Sequence, residues 1–245
     1  MVGVGEYIHG TPGRLQTGLR SRIPIIQDWE LFSKNTVSGL TGWWKSDIGV
    51  TADGLNRVSA WADQSGNNFT LVQGTDGLKP IYTSGVQGGL PALVFDGSDD
   101  YMRVTFALSQ PFTVIIAGRL SSNDASDRFL MAGSGSLTIL EAFSQTYRMF
   151  ANGTVATGNI RSTNNTIWCM RFNGVSSDIS ANSTVVSGDA GGNAFSQITL
   201  CDNDGLGGYY APLNCYEILI YNKKLSDIEK TVVYNYINQK FALGV

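Results

Sequence analysis

Short apolar runs separated by polar turns recur along most of this 245-residue chain, from residue 39 onwards. The runs are rich in valine, isoleucine, threonine and aromatic residues, which favour β-strands. The turns between them contain Asp-Gly, Asn-Gly and Ser-Gly-Asn sequences, which connect antiparallel strands tightly. The pattern therefore predicts an all-β protein built as an antiparallel sandwich.

The predicted strands are, in chain order, LTGWW, RVSAWAD, FTLVQ, PIYT, PALVF, YMRVTF, PFTVIIAGRL, RFLMAG, LTILEAF, YRMFAN, TIWCMRFN, ISANSTVV, QITLCD and CYEILIYN. Alternate apolar residues in 112–116 predict a strand with one buried face. Tyr216, Ile218 and Ile220 are predicted to share a face in the last strand in the same way. The three tryptophans of the first two strands are predicted core residues.

The period changes from strand to helix near the C terminus. Apolar residues there recur at helical spacing, at Ile228, Val232, Val233, Tyr236 and Ile237. Ser226 precedes them with Glu229 three residues later, the arrangement of a capping box. One C-terminal helix is therefore predicted to close the β domain.

Residues 1–38 lack the alternating pattern, so we predict two parts: an N-terminal arm, 1–38, and a β domain, 39–245. The arm holds a stretch rich in glycine, proline and arginine, then a candidate short helix, IIQDWELFSK. One interpretation is an assembly segment that docks on a partner subunit; the alternative is a flexible leader or an extra strand of the same domain. The candidate assembly residues are Arg14, Arg20, Arg22 and Trp29.

Several segments together resemble a known fold family. They are GWWKSDIGVTADG, VSAWADQSGN, FDGSDDYM and PFTVIIAGRL, the segment from Trp168 to Asn173, and the closing CYEILIYNKKLSDIEKTVVYNYINQKFAL. This order is similar to a laminin G-like domain of the concanavalin A-like jelly-roll family, in the form found in bacteriophage and bacterial surface proteins. The resemblance covers about residues 40–243 and fits least well over 125–165. It implies a jelly-roll sandwich whose relatives mostly bind or build rather than catalyse.

Charge and hydropathy exclude several partners. The formal net charge is −3, which gives no electrostatic footprint for nucleic acid or for an anionic membrane. The apolar runs are too short to span a bilayer, and the N terminus does not read as a secretory signal. We therefore expect synthesis in a host cytoplasm. Three cysteines without metal-ligand spacing are expected to be buried thiols, with a Cys201–Cys215 bridge as the alternative.

The carboxylates do not have the pattern of a glycosidase. Relatives of the resembled family that cleave β-glucans carry a Glu-x-Asp-x-Glu strand, and this sequence has none. Its five glutamates are not paired on any predicted strand, and its single histidine, His9, lies in the arm. Retaining hydrolysis requires two close carboxylates, and a nucleophile triad requires a histidine. We therefore predict no catalytic residues and no enzyme activity.

The resemblance also raises a calcium question, since laminin G-like domains often hold Ca²⁺ through aspartates in loops at one end of the sandwich. Asp202 and Asp204 are the candidate ligands, and the loop from Asp63 to Asn67 is a second candidate. Aspartates and asparagines in such loops usually bond their own backbone, so the structural interpretation is favoured. No cofactor is predicted, with Ca²⁺ as the alternative.

Two tyrosines beside the same loop indicate a carbohydrate site. Sugar rings are bound by an exposed aromatic face together with fixed polar contacts. The candidate residues are Asp202, Asn203, Asp204, Tyr209 and Tyr210. The alternative is an ordinary strand start after a glycine-rich loop.

Two classes of function follow. The first is a non-catalytic bacteriophage virion protein, such as a capsid decoration protein or a tail or head fibre subunit. It would be attached through the arm to other virion proteins, self-associated, and able to contact host-surface glycans. The second is a carbohydrate-binding module or lectin of a bacterial surface protein. A divergent glycosidase is a third class, disfavoured by the missing carboxylate pair.

Overall fold

The computed structural model describes residues 28–123, 126, 128–134, 137–158, 160–203 and 208–245. These residues form two antiparallel β-sheets packed face to face around a shared core. One α-helix, α1 (Asp227–Phe241), covers the outer side of the first sheet. The all-β sandwich with a C-terminal helix that the sequence predicts is confirmed.

The first sheet contains, in spatial order, β15 (Thr184–Gly188), β14 (Ser177–Ala181), β13 (Thr166–Phe172), β8 (Phe112–Leu120), β17 (Leu213–Tyr221), β6 (Leu90–Val94) and β5 (Ile81–Gln87). An eighth strand, β1 (Leu40–Lys45), also pairs with β17. β6 pairs with the start of β17 and β1 with its remainder, so the sheet branches beside β17.

The second sheet contains, in spatial order, β12 (Thr154–Ala156), β11 (Thr146–Phe150), β10 (Leu137–Phe143), β9 (Arg128–Gly133), β16 (Phe195–Leu200), β7 (Met102–Leu108), β4 (Leu71–Val72), β3 (Val58–Trp61) and β2 (Val50–Ala52). Short 3₁₀ turns occur at Asp28–Leu31, Asp76–Leu78 and Gly174–Ser176. None of the helices that the structure describes has the length and apolar character needed to cross a lipid bilayer.

The core between the sheets is dominated by large aromatic and aliphatic side chains. Trp44, Trp61 and Trp168 are fully buried there, and Trp43 is buried on the opposite face of β1. The predicted core tryptophans are confirmed. Burying aromatic side chains of this size contributes strongly to the hydrophobic stabilisation of the sandwich.

β17 carries an irregularity that changes which face one of its residues occupies. Its register against β8 shifts between Cys215 and Glu217. Because the extra residue interrupts the alternation, Tyr216 packs under α1, whereas Ile218 and Ile220 face the inter-sheet core. The prediction that Tyr216 shares a face with Ile218 and Ile220 is therefore wrong.

Helix α1 begins at the predicted capping box. The backbone N–H of Glu229 donates to Ser226 Oγ at 3.3 Å, and the backbone N–H of Ser226 donates to Glu229 Oε2 at 3.0 Å. Val233, Tyr236 and Ile237 are buried against the sheet, as their spacing predicts. Ile228 and Val232 lie on the outer side of the helix and are exposed.

Some strand boundaries differ from the sequence prediction. The run ISANSTVV forms a hairpin rather than one strand, because Asn182 adopts a φ of 52° and joins β14 to β15. Asparagine tolerates this left-handed conformation, which tight hairpins require. The three-residue strands β2 and β12 are too short for the pattern to reveal.

The described part of the predicted arm, residues 28–38, packs on the β domain. The Phe32 ring stacks on Tyr236 of α1 with centroids 4.0 Å apart, and Val37 is buried. Trp29 is half-buried beside a groove against α1. Within the candidate helix, the described residues show a 3₁₀ turn at Asp28–Leu31. Three predicted assembly residues, Arg14, Arg20 and Arg22, lie outside the described residues.

Candidate functional site

Two loops pack together at one end of the sandwich and form a rim. The loop 95–101 follows β6, and residues 201–203 and 208–212 precede β17; we call residues 95–103, 201–203 and 208–212 the rim. The backbone N–H of Phe95 donates to Leu213 O at 2.9 Å, beside the contact of Gly97 with Pro212. A Cβ on Gly97 would lie 2.8 Å from Pro212 Cβ, and its φ is +79°, so glycine permits the close approach.

The predicted tyrosines lie on this rim, next to β9. Tyr209 is 44% exposed, and its ring meets the edge of Phe129 with centroids 5.7 Å apart. Its carbonyl accepts a hydrogen bond from Phe129 N at 2.9 Å, which fixes the backbone. Tyr210 is half-buried beside it. The rim therefore presents one aromatic ring to solvent and a second partly exposed one.

Asp202 does not point to solvent as the predicted site requires. Its side chain is 1% exposed and lies 3.7 Å from the guanidinium of Arg103. Arg103 in turn lies over the Tyr101 ring, 4.8 Å from its centroid. The negative charge of Asp202 therefore attracts the Arg103 guanidinium and holds it over the Tyr101 ring. Asp202 acts beneath the surface rather than as a direct ligand.

Two further residues of the predicted carbohydrate site are Asn203 and Asp204. Asn203 is half-buried, and its backbone N–H donates to Asp202 Oδ1 at 2.7 Å. Asp204 lies outside the described residues. Of the two predicted metal ligands, the structure therefore describes Asp202 alone, and the Asp202 carboxylate faces Arg103.

Three aspartates on the rim were missed as site residues in the sequence. Asp96, Asp99 and Asp100 each place a carboxylate oxygen within 4.8 Å of the others. The segment that contains them, FDGSDDYM, contributes to the family resemblance and is not a predicted site. Their spacing, one aspartate followed by a pair after a buried strand, is the signal that could have identified them.

Burial and mutual repulsion alter the acidity of this group. The pKa of Asp100 is raised to about 6, first by burial and then by the charges of Asp96 and Asp99. Loss of hydration and the nearby Asp202 also raise the pKa of Tyr210, so its hydroxyl remains a hydrogen-bond donor at neutral pH. The rim therefore combines phenol donors with a negative potential.

The three carboxylates are the described residues that fit a Ca²⁺ ion best, since Ca²⁺ prefers oxygen ligands of this kind. Oxygens of two of them, Asp96 and Asp100, already accept hydrogen bonds within the loop itself. Asp96 Oδ1 accepts from Ser98 N at 2.7 Å, and Asp100 Oδ2 accepts from Asp96 N at 3.0 Å. The loop geometry is thus explained by its own hydrogen bonds.

The second calcium candidate, the loop from Asp63 to Asn67, is structural. Asp63 Oδ1 accepts from the backbone N–H of Trp43 and of Ser65, each at 2.8 Å. Its second oxygen accepts from Ser65 Oγ at 2.7 Å. This nearly buried carboxylate therefore fastens its loop to β1, as the structural interpretation predicts.

The cysteines are all free and buried. Burial raises the pKa of the Cys169 thiol to about 12, and it also raises the pKa values of Cys201 and Cys215. A thiol with a raised pKa forms little thiolate at neutral pH and is chemically inert. No bridge joins Cys201 to Cys215.

No family model and no curated protein matches the chain. Solved structures do share its fold. The Trypanosoma rangeli sialidase in complex with sialic acid is 14% identical with a TM-score of 0.59, over 83% of this chain and 33% of that chain. The receptor binding domain of botulinum neurotoxin mosaic serotype C/D is 10% identical with a TM-score of 0.57, over 80% and 50%.

These likenesses show that the protein shares the β-sandwich fold of both structures. The chain spans about a third of the sialidase and half of the toxin domain. At this identity the relationship establishes the fold alone, since one fold hosts many functions.

Proposed function

We propose that this protein is a recognition domain that binds carbohydrate at the rim without cleaving it. The observation that carries the proposal is the gathering of Tyr101, Tyr209 and Tyr210 with Arg103 and the aspartate group on one rim. We further assign the domain to the concanavalin A-like family, because its sequence segments and its closing helix agree with that resemblance.

The chemistry of the rim suits a sugar. A pyranose ring has an apolar face of C–H groups, which packs on an exposed aromatic ring such as Tyr209. Its hydroxyls need donors and acceptors held at fixed positions. Arg103 and the Tyr210 hydroxyl supply donors, and the exposed carboxylate of Asp96 supplies an acceptor.

Catalysis is disfavoured by accessibility rather than by the absence of carboxylates. Asp100 has the raised pKa that a general acid needs, and the carboxyl groups of Asp96 and Asp99 lie nearby. However, Asp100 is 6% exposed and its carboxylate is bonded to the backbone of Asp96. A general acid must reach the glycosidic oxygen, and Asp100 faces its own loop instead.

The structural neighbours fit the binding part of the proposal and do not bear on cleavage. One is a sialidase crystallised with sialic acid, and the other is a receptor binding domain. Neither is a virion protein, so the bacteriophage role and the attachment through the arm stay predictions from the sequence. These two predictions concern the particle to which the domain is attached, whereas the proposal concerns the ligand that its rim binds.

A glycan array with alanine variants tests the proposal. We expect wild-type protein to bind a defined set of glycans, and the Tyr209→Ala/Tyr210→Ala variant to lose about tenfold or more in affinity. Two aromatic contacts together are worth about 1–3 kcal/mol, and 1.4 kcal/mol corresponds to tenfold. The matched control, Val175→Ala, removes an exposed apolar side chain from the opposite end of the sandwich and should bind as wild type does.

The unfolding temperature decides how a loss of binding is interpreted. Tyr209 is well exposed, so Tyr209→Ala should unfold within a few degrees of wild type. Unchanged binding by the double variant, in a folded protein, would contradict the rim as the site. An array with no bound glycan at all would contradict the proposed function.

A further inference from the structure

A second polar cleft lies away from the rim, beside the branch of the first sheet. It has a volume of about 360 Å³ and lies between the turn 46–49, the turn 53–56 and Tyr82 of β5. Pockets that bind small ligands begin at about 300 Å³, so the cleft is large enough for one small molecule. No predicted site residue lies in it.

The walls of the cleft are held in place by hydrogen bonds. The backbone N–H of Tyr82 donates to Asn56 O at 2.8 Å, which joins the second turn to β5. Ser46 Oγ donates to Pro91 O at 2.7 Å, which joins the first turn to β6. The cleft is therefore formed before any ligand arrives, which lowers the entropic cost of binding.

Three polar groups on these walls have no partner among the described residues. They are the side-chain amide of Asn56, the hydroxyl of Tyr82 and the second carboxylate oxygen, Oδ2, of Asp47. Beside them, Ile48 is 51% exposed and offers an apolar surface. The cleft thus presents both donors and acceptors next to an aliphatic patch.

The charges around the cleft are already neutralised. Asp47 pairs with Lys240 at 2.8 Å, and Asp53 pairs with Arg57 at 2.7 Å. A free cation would have to compete with an ammonium and a guanidinium, and a free anion would be repelled by two carboxylates. The chemistry therefore favours a neutral ligand rich in hydroxyl groups.

We propose that this cleft is a second carbohydrate subsite, which takes one neutral pyranose unit. An aliphatic face next to an amide, a phenol and a carboxylate oxygen matches a ring with C–H groups on one side and hydroxyls at its edge. The choice of ligand class rests on the proposed function, whereas the geometry of the cleft is independent of the rim.

Contacts through one segment connect the cleft with the rim. Pro80 accepts from Val58 N at 2.8 Å on the side of the cleft, and Leu78 accepts from Tyr101 N at 3.2 Å on the side of the rim. The two sites are therefore neighbours in the fold, separated by the segment 78–80.

A nuclear magnetic resonance titration of the full chain tests the subsite. The probes are the methyl pyranosides of glucose, galactose, mannose and N-acetylglucosamine at millimolar concentration, where weak binding is visible. We expect at least one probe to shift backbone amide signals within 46–56. Amides of 46–56 that no probe shifts would overturn the proposal, whatever the amides of the rim do.

Two variants test the residues assigned to the subsite. Asn56 has a φ of 62°, so Asn56→Gly removes the amide without straining the backbone, and Tyr82→Phe removes the hydroxyl alone. Combined, they should weaken the cleft response about tenfold, since each hydrogen bond to a neutral group is worth about 0.5–1.5 kcal/mol. The matched control is Asn68→Gly, an exposed asparagine with the same φ in another loop.

The outcomes separate the subsite from the proposed function. Cleft shifts that persist in Asn56→Gly/Tyr82→Phe would overturn the assignment of these residues. Cleft shifts that survive Tyr209→Ala/Tyr210→Ala support a subsite independent of the rim. A rim response without a cleft response would leave the proposed function standing and overturn the subsite.

Discussion

At the scale of single residues, the rim is unusual because its carboxylates are crowded and partly removed from water. Asp96, Asp99 and Asp100 lie within 4.8 Å of one another, and Asp202 is buried against Arg103. Burial disfavours the charged form of a carboxyl group, and like charges at this separation add to that effect. The cost falls on Asp100, whose pKa is raised to about 6.

The raised pKa of Asp100 predicts a pH dependence of stability. The folded protein holds this proton more tightly than the unfolded chain, whose carboxyl has a pKa near 3.8. The stabilisation is therefore fully present below pH 3.8 and is lost as the pH rises through about 6. Asp100→Asn stays neutral and still accepts from Asp96 N, so its stability should not fall across that range.

Calorimetric unfolding temperatures at a series of pH values measure this difference. Wild type should lose stability relative to Asp100→Asn as the pH rises from 3.8 to about 6. Asp189→Asn changes an exposed aspartate in another loop and serves as the control. Parallel pH profiles for wild type and Asp100→Asn would show that Asp100 is not protonated in the folded state.

The sequence identified part of the rim and could not have supplied the rest. Tyr209 and Tyr210 stand out beside a glycine-rich loop, and their exposure follows from that position. The proximity of Asp96 to Asp100 depends on the turn at Gly97 and its packing on Pro212, a contact between residues far apart in the chain. The burial of Asp202 likewise depends on Arg103 of another strand.

At the scale of elements, helix α1 is joined to the sheet by a buried charged network as well as by apolar packing. Lys240 Nζ lies 2.7 Å from Glu217 Oε2, and both side chains are fully buried. Glu217 also accepts hydrogen bonds from Trp43 Nε1 at 2.5 Å and from the Tyr236 hydroxyl at 2.6 Å. A buried pair with satisfied partners fixes one orientation of the helix.

Removing the ammonium should strongly destabilise the protein. Lys240→Met leaves Glu217 as an uncompensated buried charge, which typically costs about 3–5 kcal/mol. The double variant Glu217→Gln/Lys240→Met removes that charge and should recover part of the loss. Urea unfolding measures both. Lys230→Met, on the more exposed side of the same helix, is the control.

The stabilities of these two variants show whether the loss comes from the unpaired charge or from lost packing. If the double variant is less stable than Lys240→Met alone, the loss comes from packing and hydrogen bonds rather than from the unpaired charge. The sequence predicted the helix and its cap but not this network. Glu217 reaches the helix because the irregularity in β17 places it on that side, a shift without a local sequence signal.

At the scale of the whole molecule, the predicted boundary between arm and domain does not coincide with the contacts. The sequence pattern places residues 28–38 in the arm, yet the Phe32 ring lies between Tyr236 and Trp43, with centroids at 4.0 Å and 5.7 Å. Val37 is also buried in the apolar cluster between α1 and the first sheet. This segment therefore contributes to the outer layer of the sandwich.

Two truncations should differ in stability for this reason. Deleting residues 1–27 keeps the contacts of Phe32 and Val37, whereas deleting residues 1–38 exposes Tyr236 and Trp43. Burying apolar side chains of this size contributes about 1.5–3 kcal/mol each. We expect the longer deletion to be less stable by roughly 3 kcal/mol in urea unfolding. Equal stabilities of the two truncated proteins would show that residues 28–38 do not stabilise the β domain and belong to the arm.

The strand pattern predicted the sandwich because valine, isoleucine and aromatic residues fill a core that two sheets share. It did not predict the hairpin at Asn182, since ISANSTVV is a continuous strand-like run with one asparagine inside it. The sequence also did not predict the cleft between the turns 46–49 and 53–56 and β5, because segments far apart in the chain assemble it. Sites of this kind follow from topology rather than from a motif.

The central claim, recognition of a glycan without cleavage, is tested most directly by one nuclear magnetic resonance time course. Saturation transfer from the full-length protein to the glycan with the strongest array signal reports binding, while the anomeric signals of the same sample report hydrolysis. We expect saturation transfer that Tyr209→Ala/Tyr210→Ala weakens, with anomeric signals unchanged throughout. A growing reducing-end signal, or no saturation transfer from wild type, would contradict the account.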